Sequence, residues 1–294
     1  MSDKVSAVIL VGGKGKRLRP LSTDNMPKAF LSVTRDRKTM FRKTLDRILT
    51  IVPERDILVV ANTAHSRLVK RDFPFLKRAN FLLEPVSRNT APAITLAALR
   101  IKEVSGDAII VVLPTDQYVT DKKKYLDSIR IGIDFVKKHS GVLLVLAVKP
   151  KGPATGFGYL RVKGGSRAKK SIYKVEEFVE KPDVKTAKRY VKSGRYLWNA
   201  GGFIFRASSI LRAVERLVPK IFDNLRNLKD IQSVYMKLPN ISIDYAVMEK
   251  ADNIYCVKGL YGWRDMGSFE SLKEILEREG RKYVSRGKKI VKIL

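Results

Sequence analysis

Apolar and polar positions follow two regimes along the chain, and the change falls near Gly152. Before it, continuous apolar runs at Ser6–Val11, Ile57–Ala61, Asn80–Leu83, Ala108–Leu113 and Val142–Val148 read as strands buried on both faces. Between them Met40, Leu45, Ile48 and Leu49 form a helical stripe, and Ala91–Glu103 and Lys122–Lys138 carry helical patterns. Strands alternating with helices predict a mostly parallel sheet covered on both sides. After Gly152, Gly156–Val162 and Ile172–Val179 alternate as antiparallel strands do, separated by a loop over Lys163–Lys170. Trp198–Arg206 reads as a further strand, and Ala207–Arg216 and Ile243–Lys250 as helices. With no internal repeat, low-complexity tract or long linker, the pattern predicts one α/β unit with an inserted substrate-side portion. Val284–Leu294 receives no assigned structure.

Charge alters this picture less than its size suggests. Lys and Arg number 59 against 29 Asp and Glu, a formal net charge of +30. The basic residues are dispersed, with only short clusters such as Lys122–Lys124 and Lys288–Lys289 and no basic tail. That dispersion describes a solvated surface and argues against a specific nucleic-acid partner, while its field attracts small anionic substrates. The single cysteine, Cys256, excludes an intrachain disulfide and a cysteine-cluster metal site, and fits a reducing cytoplasm. No run approaches the roughly 18 apolar residues of a membrane span, and Ala7–Val11 is too short for a signal peptide. A soluble cytoplasmic protein without a membrane partner is expected.

The densest chemistry follows the first strand: Gly12-Gly13-Lys14-Gly15-Lys16-Arg17-Leu18-Arg19-Pro20-Leu21-Ser22, then Pro27-Lys28. Open α/β sheets bind ligands at the carboxyl ends of their strands. Glycines there let backbone N–H groups approach a base and triphosphate without a Cβ in the way. Arg17 offers a planar fork and Lys28 a point charge for a leaving pyrophosphate. The P-loop spacing is absent, and a dinucleotide fingerprint from Gly13 would need Gly or Ala where Leu18 stands.

This run resembles the signature of the sugar-nucleotide pyrophosphorylases, G-G-x-G-x-R-L-x-P-L followed by P-K. The resemblance extends from Ala7 to about Ser271, and the later segments are most similar to the guanylyltransferase branch. It implies a Rossmann-like, glycosyltransferase-A-like α/β nucleotidyltransferase fold: a mixed sheet flanked by helices, with an inserted antiparallel sugar-binding portion. It also implies a catalytic domain over residues 1–275 and a short tail over 276–294, without the β-helix or isomerase domain of many relatives. The implied substrates are GTP and α-D-mannose 1-phosphate, with Mg2+ as cofactor; a homodimer is compatible with it. Another nucleoside diphosphate-sugar pyrophosphorylase, acting on glucose 1-phosphate with a thymidylyl, adenylyl or uridylyl donor, remains an alternative. So does a non-catalytic nucleic-acid-binding or regulatory relative, which predicts loss of Arg17, Lys28 or the acidic pair.

Residue by residue, the resemblance gives Gly12, Gly13 and Gly15 to the nucleotide, with Arg17 and Lys28 as catalytic cations. Glu84-Pro85-Val86-Ser87-Arg88-Asn89-Thr90-Ala91-Pro92-Ala93 is similar to the branch's E-P-x-x-R-N-T-A-P-A, which assigns Glu84, Arg88 and Asn89 to nucleotide binding. A carboxylate at Glu84 can accept from guanine N1–H and N2–H2; read from residues alone, an ordinary capped loop before a helix is the lesser alternative. Asp116 in Leu113-Pro114-Thr115-Asp116 and Asp265 in Gly262-Trp263-Arg264-Asp265-Met266-Gly267 are the implied metal ligands. The family's usual P-A-D-H places Thr115 and Gln117 outside its pattern, and each Asp could instead begin a helix. Gly158, Glu180, Lys181 and Asn199 are the implied sugar-phosphate residues; a surface ion pair is the bland reading of Glu180 and Lys181. Ala200 and Gly202 depart from the family's W-N-S-G-M/I-F. Ser242-Ile243-Asp244-Tyr245-Ala246-Val247-Met248-Glu249 matches a family stretch but reads as a capped helix start, with no site role.

Overall fold

Each long apolar run before Gly152 becomes a strand of one sheet, with the expected helices between them. The computed structural model describes residues 3–13, 15–75, 77, 80–166, 171–227, 230–286 and 289–293. Lys14, residues 167–170 of the expected loop, Lys288 and Leu294 lie outside these. In chain order the strands are β1 (Val5–Val11), β2 (Leu31–Ser32), β3 (Ile57–Asn62), β4 (Phe81–Glu84), β5 (Ile109–Pro114), β6 (Gln117–Val119) and β7 (Leu143–Val148). They continue with β8 (Tyr159–Val162), β9 (Ile172–Val179), β10 (Tyr196–Arg206), β11 (Ile254–Gly259), β12 (Trp263–Asp265), β13 (Tyr283–Arg286) and β14 (Lys289–Lys292). The helices are α1 (Met40–Ile48), α2 (Ser66–Asp72), α3 (Thr90–Ser105), α4 (Lys122–Lys138), α5 (Val184–Ser193), α6 (Ala207–Leu217), α7 (Pro219–Arg226), α8 (Ile231–Lys237) and α9 (Phe269–Arg278).

Nine strands form the main sheet in the order β4-β3-β1-β5-β10-β7-β11-β9-β8. The first four are parallel, β10 runs antiparallel to both β5 and β7, and β11 is parallel to β7. The antiparallel β9 and β8 continue this sheet at its far edge, and the start of β10 also pairs with β8. The inserted portion is thus an extension of the same sheet. Alternation along β1 explains the layers: Val8 and Leu10 join the core under α3 and α6, while Ala7, Ile9 and Val11 face the core under α1 and α4.

A third apolar cluster unites Leu18 and Leu21 of the glycine-rich loop with Leu31, Met266, Leu272, Ile275 and Val284. The tail therefore has a structure that its sequence did not announce. β13 pairs with β14 and with β2, Arg281 donates to the Thr34 carbonyl, and Arg286 Nη1 donates to the Pro20 carbonyl at 2.7 Å. Residues 244–248, expected within a helix over Ile243–Lys250, form a single π-helical turn, with the Glu249 amide donating to the Asp244 carbonyl at 2.9 Å. Among the described residues no helix is long and apolar enough to cross a membrane.

Candidate active site

The glycine-rich loop leaves β1 at its carboxyl end and folds back on itself. Gly13 and Gly15 have φ of +88° and +59°, and a Cβ at Gly15 would lie 2.8 Å from Ser22 Oγ. That hydroxyl donates to the Gly15 carbonyl at 2.6 Å, while Leu18 and Leu21 bury beneath the turn. The short turn Lys28–Phe30 buries Ala29 and Phe30, which brings Lys28 beneath Gly13. Lys28 Nζ is ion-paired with Asp116. Burial disfavours its charge, but Asp116 and Asp265 outweigh that and raise its pKa, so the lysine remains an ammonium.

Asp116 lies in the link between β5 and β6. β12 pairs with β6 so that Asp265 stands opposite Gln117, and the Met266 amide donates to the Asp116 carbonyl at 3.0 Å. Burial and then the charge of Asp116 push the Asp265 carboxyl up to about 6, against the pull of Lys28 and Arg17. Arg17 reaches the same corner: Cβ atoms built on Gly267 and Gly156 would lie 3.3 and 3.9 Å from its Nη2 and Nη1. Among the described residues no group of three or more His, Cys, Asp or Glu could enclose a metal ion. Two carboxylates that repel one another across a partly buried corner instead suit a hard divalent cation that keeps water or phosphate oxygens as its other ligands.

Beside this corner is a cleft of about 230 Å3, lined by Gly12, Gly13, Glu84, Ser87, Asn89 and Asp116 among others. Glu84 ends β4 and is 8% exposed. Burial pushes its carboxyl up to about 7, and the nearby Tyr235 hydroxyl offsets this only slightly. Glu84 Oε1 and the Tyr235 hydroxyl are both buried without a hydrogen bond of ordinary geometry. Asn89, at φ +67°, caps α3 by accepting from the Thr90 amide at 2.9 Å, so the positive end of that helix fronts the cleft. Arg88 is not among the lining residues. Its Nε donates to the Tyr235 carbonyl at 2.9 Å and its Nη2 to that of Met236, which spends the guanidinium on holding α8. Arg88 thus clamps the segment behind Glu84 and is not brought to the cleft wall in this structure.

The other expected residues gather where β8, β9 and β10 meet. The Asn199 amide donates to the Gly158 carbonyl at 2.8 Å. A Cβ at Gly158 would lie 2.5 Å from Glu180 Oε2, an oxygen buried without a partner. Glu180 Oε1 accepts from Lys181 Nζ at 2.7 Å, and Lys181 adopts φ +50°. Burial opposes the Lys181 charge, yet the Glu180 hydrogen bond and charge prevail and raise its pKa.

Asp244 completes this group, accepting from Asn199 Nδ2 at 2.8 Å. It keeps some exposed surface, but enclosure by the protein and the charge of Glu180 push its carboxyl up to about 7. The signal was present in Ser242 to Glu249, where a helix-start reading absorbed it. Ile243 donates from its amide to Thr90 Oγ1 at 2.8 Å, tying this group to the start of α3. The departures from the family pattern have structural work. Thr115 Oγ1 donates to the Leu10 carbonyl at 3.1 Å and Gln117 Nε2 donates to that of Ala200. Ala200 is buried, and Leu146 lies where a Cβ on Gly202 would go.

A phosphate-suited cation and carboxylate corner at the strand ends, flanked by a base-sized cleft and a polar group on the antiparallel edge, defines a nucleotide-handling α/β protein. The chain belongs to the Nucleotidyl transferase family, whose match spans residues 6–281. It is 37% identical over 96% of its length to the xanthan biosynthesis protein XanB of Xanthomonas campestris pv. campestris (strain B100), covering 61% of that protein. It is 36% identical over 95% of its length to the mannose-1-phosphate guanylyltransferase RfbM of Salmonella typhimurium, covering 60% of it. The chain thus spans about three fifths of the length of these curated relatives. The crystal structure of mannose-1-phosphate geranyltransferase from Thermus thermophilus is 33% identical with a TM-score of 0.83, over 92% of this chain and 79% of that one.

Proposed function

We propose that this chain transfers GMP from GTP to α-D-mannose 1-phosphate, forming GDP-mannose and pyrophosphate, in the cytoplasm. The observation that carries the nucleotide choice is the Glu84 carboxyl in the wall of the cleft, buried against the Tyr235 hydroxyl and without a cationic partner among the described residues. It matches the paired N1–H and N2–H2 donors of guanine, which adenine lacks, and the name of RfbM supports the same substrate pair. A phosphate oxygen of the sugar 1-phosphate attacks the α-phosphorus of GTP, and the bond from that phosphorus to the α,β-bridging oxygen breaks. The nucleophile is already an anion, so no general base is required. Asp116 and Asp265 would hold Mg2+, which would supply charge neutralisation for the triphosphate. Arg17 and Lys28 draw the leaving pyrophosphate, and Lys181 holds the sugar phosphate. Glu180, Asn199 and Asp244 accept from or donate to hexose hydroxyls.

Pyrophosphate release with GTP, ATP, UTP and dTTP, each against mannose 1-phosphate and glucose 1-phosphate and with or without Mg2+, tests this. GTP with mannose 1-phosphate and Mg2+ should exceed every other donor by about 100-fold or more, as expected where buried polar groups select a base. A different winning pair overturns the reading. Gly158→Ala should drive Glu180 and Phe178 from their places and raise KM for the sugar phosphate by about tenfold or more, with KM for GTP nearly unchanged; initial rates with each substrate varied separately will show it.

A further inference from the structure

Arg47 stands in the last turn of α1 on its inward face, only 6% exposed. Its guanidinium carbon lies 5.3 Å from the Tyr125 ring centre, and Nη2 donates to Thr44 Oγ1 at 2.9 Å and lies 3.5 Å from the Gln117 carbonyl. Nε is buried with no partner. Among the described residues Arg47 is in no ion pair: Asp46, its neighbour in sequence, is taken by Lys38 at 2.6 Å and Arg42 at 2.7 Å. A guanidinium does not give up its proton inside a protein, so this is a permanent buried cation without a counter-ion.

A pocket of about 380 Å3 opens beside it, between α1, β6 and the start of α4, and shares no lining residue with the base cleft. Its carboxylates are already engaged. Asp36 is paired with Lys43 at 2.8 Å and Asp46 with Lys38, while Glu279 accepts from the Tyr118 hydroxyl at 2.7 Å and the Arg35 amide at 2.9 Å. What remains is Arg47, buried in the lining with Nε unpartnered, and Lys122, exposed and in no ion pair among the described residues.

We propose that this pocket is a second anion site that takes a phosphate group, free or as a small phosphomonoester. The group accepts from the Arg47 guanidinium and lies within the field of Lys122. A guanidinium with an unpartnered Nε and an exposed ammonium beside it are the kinds of group by which proteins commonly hold tetrahedral oxyanions. The site stands behind β6, whose Gln117 carbonyl Arg47 already approaches and which begins one residue after Asp116. It does not depend on which nucleotide or sugar the chain handles.

The test is calorimetric titration of inorganic phosphate, and separately of glycerol 3-phosphate, into the full chain carrying Lys28→Met, which weakens phosphate binding at the other site so that the Arg47- and Lys122-dependent part is read by difference. Saturable binding is expected, weakened at least about tenfold by a further Arg47→Met, the loss of charge-assisted hydrogen bonds. Lys122→Ala should weaken it about threefold, as for a single exposed charge. Lys122 is exposed, so this second variant decides the matter if Arg47→Met does not fold. Tighter binding of one probe identifies free phosphate or the ester as the source. No binding of either, or equal binding in all folded variants, overturns the proposal.

Discussion

Asp116→Ala should lower turnover by about a thousandfold or more, with circular dichroism and melting temperature close to those of the wild type. The carboxylate engages both the Lys28 ammonium and, through its charge, Asp265, so its removal dismantles the proposed metal corner and frees Lys28 at once. Losing one preorganised charge at such a centre costs about 10²–10³ in rate, and loss of metal binding adds to that. The fold should survive because Asp116 is partly exposed in a short link, and the Met266 bond to it uses the backbone carbonyl, which alanine keeps. Lys28→Met should cost about 10²–10³ by the same reasoning. The check is the rate of pyrophosphate release from purified, folded variants. Near-normal turnover in Asp116→Ala would overturn the metal assignment.

Glu84→Gln should make the free protein more stable and the enzyme worse. The carboxyl is pushed up to about 7 from an ordinary 4.5, so the ionised form is disfavoured in the folded state. A raised carboxyl contributes stability below about pH 4.5 and loses that contribution as pH rises through about 7. At pH 8 the buried charge should therefore cost about 3 kcal/mol, which glutamine removes. Thermal melting without nucleotide should show Glu84→Gln more stable at pH 8 and the gain shrinking as pH falls toward 5. The same variant should lose about 10²-fold in kcat/KM for GTP and discriminate less against ATP, since one carboxylate no longer faces two donors. Because guanine donors favour the ionised carboxylate, GTP affinity of the wild type should rise with pH through about 7. An unchanged GTP preference in the Glu84→Gln variant would remove Glu84 from the base site.

The strands and the gathering of cations and carboxylates at their ends were legible because their signals are local. β1, β3 and β5 are continuous apolar runs, and Arg17, Lys28, Asp116 and Asp265 stand in recognisable spacings. What escaped depends on partners distant in sequence. β6 and β12 are three residues each and exist through their mutual pairing. The tail hairpin gains its order from β2 and the apolar cluster under the loop. Arg88 sits inside a well-matched stretch, yet its direction is set by the end of α8, about 150 residues later, and no local pattern carries that. Asp244 was hidden by its own neighbourhood, since Ser, Asp and Glu at a helix start look alike whether they cap or serve a ligand.

β10 has a consequence for motion. It is hydrogen-bonded to β5 along Phe203–Arg206 and to β7 at Trp198–Asn199 and again at Phe203–Phe205, with a bulge between, so the base cleft and the hexose-side group are carried by one strand of one sheet. Domain closure needs a line along which two bodies can rotate, and here that line would cut through strand pairing. Any relative movement of the two sides has to pass through the bulge of β10 between Asn199 and Phe203. The hairpin of β13 and β14 is tied to the glycine-rich loop through Arg286, so the chain's last strands and its first loop move as one piece.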